Sequence, residues 1–348
     1  MTQRSARGFA SDNQAGVHPD VLAAIAAANH GHAASYGHDA GTERVQERFR
    51  EHFGEAAQAF PVFNGTAANV LALRAACRPW EAAICTEMAH LNVDEGGAPE
   101  AIAGVKLLCV AGLDGKLTPE LIAGPALARR GDEHQVQVRV VSIAQSTELG
   151  TVYSVEEVAA LADAAHAHGL VLHVDGARLS NAAAALDLPL RALTTDAGVD
   201  IVSFGGTKNG LLGAEAVVFL NAELAEGFLY LRKQSLQLAS KMRFLAAQLD
   251  ALLTDGLYLR LAAHANAMAT RLAAAVDPLP GVTITRPVQA NAVFATLPPG
   301  ATERLQERFA FYVWDEGSGE VRWMCAWDTT PEDVDAFAAA AAEILSAL

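Results

Sequence analysis

Three short stretches hold residue types that could carry chemistry. In "VDIVSFGGTK", residues 199–208, an apolar run ends on glycines and delivers Lys208 where desolvation opposes an ammonium charge. An amine so placed can lose its proton or form an imine, and it can equally be a paired structural lysine. In "GLVLHVDGAR", residues 169–178, a second apolar run ends on Asp175, with Arg178 three residues later. Both fall where ligands bind in open α/β sheets, beyond a strand's carboxyl end, although a surface salt bridge would use the same two residue types. In "FNGTAAN", residues 63–69, a Gly-Thr turn leads into helical text. Free backbone N–H groups, the Thr66 hydroxyl and the positive helix end would converge there on a phosphate, or would form an ordinary capped turn.

Taken together the three stretches supply what pyridoxal 5'-phosphate needs: a phosphate cradle at Gly65 and Thr66, an acid for its pyridine nitrogen in Asp175, and a lysine for its aldehyde in Lys208. The nucleotide loops do not compete, because no GxGxxG follows a strand and "GGTKNG" has neither the spacing nor the Lys-Ser/Thr order of a P-loop.

Positioning these residues falls to strands alternating with helices. "AFPVF", "AAICTE", "GVKLLCV", "VRVVSIAQ", "GLVLHVD", "VDIVSF" and "EAVVFL" read as strands, separated by helical stretches such as "AANVLALRAAC" and "SVEEVAALADAAHAHG". That alternation predicts an α/β fold with a mostly parallel sheet covered by helices on both faces. Ala/Leu-rich helical text then gives way to short strands in "GVTIT", "NAVFATL", "FAFYVWD" and "EVRWMCAW" and a last helix, a smaller α+β unit. The expected division is 1–244 for the N-terminal arm and large domain and 245–348 for the small domain.

Composition narrows the partners. The chain has 348 residues, with 25 Lys plus Arg against 40 Asp plus Glu, a formal charge of −15 that would repel nucleic acid and anionic lipid. A small-molecule substrate is expected, with neither nucleic acid nor membrane as partner. The four cysteines show no CxxC pairing and fit a reducing compartment, the opening residues lack an export signal, and no run approaches a membrane span, so a cytoplasmic location is expected. No metal is expected: His30 and His32 flank Gly31 at a helix end with His38 close in sequence, a trio of metal-ligand type whose spacing alone does not make a site.

"SDN" near the start, "NGTAAN", "AHLNVDEGG", "HVDGAR", "SFGGTKNG" and "VRWMCAWDTT" resemble the aldolase branch of aspartate-aminotransferase-fold enzymes, and most closely the low-specificity L-threonine aldolases, including phenylserine aldolase. The resemblance implies pyridoxal-phosphate fold type I with a seven-stranded sheet, and cleavage of threonine, allo-threonine or a related β-hydroxy-α-amino acid to glycine and an aldehyde. It further implies that Lys208 carries the cofactor, that His90 stacks on its ring, that Asn69 joins Gly65 and Thr66 at the phosphate, and that Arg178 belongs to the cofactor site. Ser11, Arg178 and Arg322 match positions that grip the substrate's α-carboxylate. Glycines beside Lys208 would leave room for ring and substrate. Relatives form homo-oligomers, usually dimers of dimers.

The chain departs from the family around the substrate hydroxyl. Where Glu-Asn-Thr-His is common it has Gln145-Ser146-Thr147-Glu148, and four residues after His90 a frequent tyrosine is Asp94. Glu148 or Asp94 is therefore expected to be, or to orient, the base that takes the hydroxyl proton. An aminotransferase or β-eliminating lyase of the same fold is the alternative reading.

Overall fold

The structure, a computed structural model, describes residues 7–348. Seven strands form the central sheet: β1 (Gln58–Val62), β2 (Glu81–Thr86), β3 (Lys106–Val110), β4 (Gln137–Ala144), β5 (Val171–Gly176), β6 (Ile201–Gly205) and β7 (Glu215–Phe219). Their order is β1-β7-β6-β5-β4-β2-β3. Pairing is parallel from β3 through β2, β4 and β5 to β6, while β7 runs antiparallel to both of its neighbours.

Both faces of the sheet are covered, and the period of two in the strands divides them. Val140, Val171, Ile201 and Val217 pack in one apolar cluster with Val70, Leu71 and Leu73 of the helix Gly65–Ala76. Their neighbours Val141, Leu172, Val202 and Val218 face the other way, toward Val158, Leu161 and Ala165 of the helix Val155–Ala167. Strands buried on both faces can be continuously apolar, which is why β5, β6 and β7 read so clearly in sequence.

The smaller sheet is antiparallel, order β10-β11-β9-β8, from β8 (Thr283–Ile284), β9 (Ala292–Thr296), β10 (Tyr312–Asp315) and β11 (Glu320–Met324). The apolar cores change over within one helix, Leu257–Val276: Leu257, Tyr258 and Leu261 pack in the large core, Ala269, Leu272 and Val276 in the small one. The expected division at 244/245 lies before this helix, and Leu245, Leu249 and Leu252 pack in the large core.

The N-terminal arm crosses to the small domain. Phe9 N–H donates to the Ala310 carbonyl at 2.7 Å, the Met324 N–H donates back to the Phe9 carbonyl at 2.8 Å, and the Phe9 ring packs edge-on to Phe337 at 4.8 Å. Phe337 also meets Trp323 at 5.1 Å and Phe309 at 5.2 Å, so this aromatic cluster sets where residues 10–12 emerge. Removing the Phe337 ring should destabilise the small domain by about 3–5 kcal/mol; urea unfolding of Phe337→Ala followed by tryptophan fluorescence checks this through the lowered midpoint.

Candidate active site

Four consecutive strands, β6, β5, β4 and β2, bring their carboxyl ends together, and each supplies a polar group. Lys208 lies in the turn Thr207–Asn209 after β6, Asp175 near the end of β5, Glu148 in the loop after β4, and His90 at the start of the short helix His90–Val93 after β2.

The turn holding Lys208 is fixed from β7. Glu215, a buried carboxylate, accepts the Gly206 N–H at 2.7 Å and the Thr207 N–H at 3.3 Å. The neighbouring glycines are packing requirements, which corrects the expectation that they leave space for a ligand. A Cβ on Gly205 would lie 2.6 Å from the Ala177 Cα, and one on Gly206 would press into Leu211 and sit 2.8 Å from the Ala214 carbonyl oxygen. The charge of Arg178 and then burial lower the pKa of Lys208, against the opposing pull of Asp12, Asp175 and Glu215.

A hydrogen-bonded network joins the remaining groups. Asn69 lies four residues after Gly65 on the same helix and therefore on the same face. Its buried amide donates to Asp175 Oδ2 and to Glu95 Oε1, each at 2.8 Å. Both amide hydrogens are thereby committed, so Asn69 orients Asp175 rather than joining Gly65 and Thr66 in a phosphate cradle. Asp175 Oδ1 also accepts the Ala177 N–H at 3.0 Å. His90 donates from Nδ1 to Glu95 Oε1 at 2.9 Å; this bond raises its pKa above the ordinary histidine value despite burial, with help from the charges of Asp175 and Glu95. Behind Asp175 on β5, His173 sits between Ser142 and Ser203 at 2.9 Å each, and burial holds its pKa down at about 4.

Glu148 Oε1 accepts the His90 backbone N–H at 2.9 Å, while its Oε2 is shut off from solvent without a partner. Burial lifts its pKa to about 7, and the charge of Asp175 adds to that, against the His90 hydrogen bond. Asp94 is different: it is exposed at the end of the helix His90–Val93.

The expected carboxylate grip divides. Arg178 is paired bidentately with Asp12, Nε to Oδ2 at 2.7 Å and Nη2 to Oδ1 at 2.9 Å, and Asn291 donates to Asp12 Oδ2 at 3.1 Å. Arg178 is therefore not an open clamp. Arg322 is: it has no carboxylate partner among the described residues, its Nε is buried without an acceptor, and Nη2 reaches only the Ala10 carbonyl at 3.4 Å. Burial, then repulsion from Arg178, brings its pKa down to about 10, so it stays charged at neutral pH. Ser11 Oγ accepts the Asn13 N–H at 3.1 Å as the cap of the turn Asp12–Gln14, beside this group.

At the phosphate end, Asn64 rather than Thr66 caps the helix, accepting the Ala67 N–H at 2.8 Å. Gly65 and Thr66 form its first turn, and a Cβ built on Gly65 meets nothing within 4 Å. Sequence reasoning missed Asp12, Glu95, Glu215 and Asn291. Asp12 and Glu95 stand inside the quoted "SDN" and "AHLNVDEGG", but their buried partners are distant in sequence. His90, Glu95 and Asp175 also bring metal-ligand types within 4.8 Å of one another, a grouping that no sequence spacing signalled.

The family described as beta-eliminating lyase matches residues 8–298. The chain belongs to this family. Within it, the chain is 47% identical to a low specificity L-threonine aldolase of Pseudomonas sp., over the full length of both. It is 48% identical to the Pseudomonas aeruginosa protein of the same name, over 94% of each chain. Among solved structures it superposes on a Leishmania major threonine aldolase with a TM-score of 0.91 and 31% identity, covering 97% of this chain and 99% of that one. This superposition agrees with the fold expected from sequence.

Two outcomes follow from the site's packing and charge. Gly206→Ala forces the Lys208 turn against Leu211 and should cost about 1–3 kcal/mol, read as a lowered thermal midpoint. The Glu148 carboxyl, raised in the folded state from an ordinary 4.5 to about 7, favours folding while protonated, and that contribution fades as pH rises through about 7. Glu148→Gln should therefore gain thermal midpoint relative to the native protein as pH rises from 5 to about 7, the difference levelling off above that.

Proposed function

We propose that this protein cleaves β-hydroxy-α-amino acids, L-threonine and L-allo-threonine among them, to glycine and an aldehyde, using pyridoxal 5'-phosphate held between Lys208 and Asp175. The observation that carries the reading is a lysine of lowered pKa and an oriented, buried carboxylate on adjacent strand ends, in a chain nearly half identical to low-specificity threonine aldolases.

The residues present fit that cofactor. The space over Gly65 and the helix N-terminus suit its phosphate, and Lys208 is the group for its aldehyde. Asp175, held by Asn69 and the Ala177 N–H, would keep a proton on its pyridine nitrogen. When bound, pyridoxal phosphate supplies an electron sink for the pair released at the substrate's α-carbon.

The other residues position and move protons. His90, fixed by Glu95, is the ring-stacking residue by resemblance. Arg322, with Ser11 beside it, would hold the α-carboxylate; fixing that group decides which α-carbon bond is aligned for cleavage. Arg178 lowers the proton affinity of Lys208 while Asp12 holds it in place. Glu148, with its unpaired Oε2 and a pKa about 7, is the better candidate for the base that takes the β-hydroxyl proton; the exposed Asp94 is the lesser one. Breaking the bond between the α- and β-carbons releases the aldehyde, and a proton delivered to the α-carbon completes glycine.

No helix of the described residues is long and apolar enough to cross a membrane. A cytoplasmic enzyme assembled as a dimer of dimers fits the family, and the apolar side chains of Tyr230 and Leu236, 81% and 86% exposed, are available for such contacts.

Incubation with L-threonine, L-allo-threonine and phenylserine should yield glycine and the matching aldehyde. A keto acid alone would mean transamination, and ammonia with a keto acid elimination; either overturns the reading. Lys208→Ala should show no turnover, and Glu148→Gln should lose about 100-fold in kcat. Unchanged kcat in Glu148→Gln, with loss in Asp94→Asn, would transfer the base to Asp94.

A further inference from the structure

Arg322 raises a question that its own hydrogen bonds do not answer: what holds a half-buried guanidinium in place with no carboxylate against it? Its Cζ lies 4.6 Å from the centre of the Trp314 ring system and 6.0 Å from that of Tyr312. Tyr312 is its direct partner across the β10–β11 ladder and is about half exposed. Trp314 is not paired in that ladder. The register shifts between Val313 and Asp315, so Trp314 is the extra residue of a β-bulge, a device that re-aims one side chain out of a regular strand. The indole also packs against Phe294 of β9, edge-on at 5.5 Å and 82°. Arg286, the other arginine near this ring pair, is accounted for by Glu320 at 3.0 Å.

We infer that Trp314 is a positioning residue for the substrate's carboxylate: the bulge turns its indole onto Arg322 and holds the guanidinium fork ready, which no acidic side chain could do without itself occupying the fork. A cation over an aromatic face keeps its in-plane N–H donors free, so the stack orients Arg322 and leaves its bidentate edge for the ligand. A carboxylate partner would hold the arginine equally well and compete with the substrate, as Asp12 does at Arg178.

The inference rests on Arg322 as the residue that holds the α-carboxylate, and the test separates the two. Binding of glycine and of methylamine, which lacks the carboxylate, is measured by calorimetry on the cofactor-loaded protein for Trp314→Leu, Trp314→Phe and Arg322→Lys, together with KM and kcat for L-threonine. Trp314→Leu should weaken glycine binding and raise KM about tenfold, equivalent to ~1.4 kcal/mol, and lower kcat for L-threonine as the α-carbon bond is less well aligned, with methylamine binding little changed. Trp314→Phe should recover most of the loss. Native glycine affinity in Trp314→Leu, with weakened affinity in Arg322→Lys, overturns the role of Trp314 alone. Native glycine affinity in Arg322→Lys overturns the carboxylate role beneath it. Equal loss for glycine and methylamine, unrelieved by phenylalanine, would reduce Trp314 to a packing residue and also overturn the proposal.

Discussion

The bidentate pair between Asp12 and Arg178 is the contact on which the site is built. It joins the N-terminal arm to the end of β5, and Asn291 of the small domain completes it. Asp12 is 2% exposed, so its charge has no water to fall back on, and removing one partner of such a pair costs on the order of 3–5 kcal/mol. Burial alone would raise the Asp12 carboxyl; the charge and hydrogen bonds of Arg178, with smaller help from Lys208 and Asn291, reverse this and hold it below the usual carboxylate range. Arg178 is correspondingly held above the ordinary arginine value despite its own burial. The two partners agree in direction, as a true pair should.

Two arginines of one site thus take different parts. Arg178, neutralised locally by Asp12, still projects enough field to lower the proton affinity of Lys208 and to repel Arg322. Arg322, held by aromatic faces, keeps its hydrogen-bonding edge available. Asn69 and Glu95 tie His90 to Asp175, so these two residues of the site share one hydrogen-bonded support. Glu148 hangs on the His90 backbone N–H, which places the candidate base in register with the same unit.

Most of the architecture could be read in the chain. The strands β5, β6 and β7 announce themselves because strands buried on both faces need unbroken apolar runs, and the position of Asp175 at the end of one such run and Lys208 just past another locates the site. The domain division was harder. The helix Leu257–Val276 packs on one core at its start and on the other at its end, so its composition carries no break for a reader to find.

The sequence by itself determined the chemical inventory: a lysine, an acid and a turn with free N–H groups at strand ends, and through "HVDGAR" and "SFGGTKNG" the family. Tertiary structure decided how those groups are shared out. Arg178 lies 166 residues from Asp12, and Asn69 lies 106 from Asp175. Only folding reveals that one expected carboxylate clamp is already filled and that one expected phosphate ligand instead steers an acid. The reason is physical: strand and helix patterns are written in local spacing, whereas buried charge must find its partner wherever the packed chain brings one within about 3 Å.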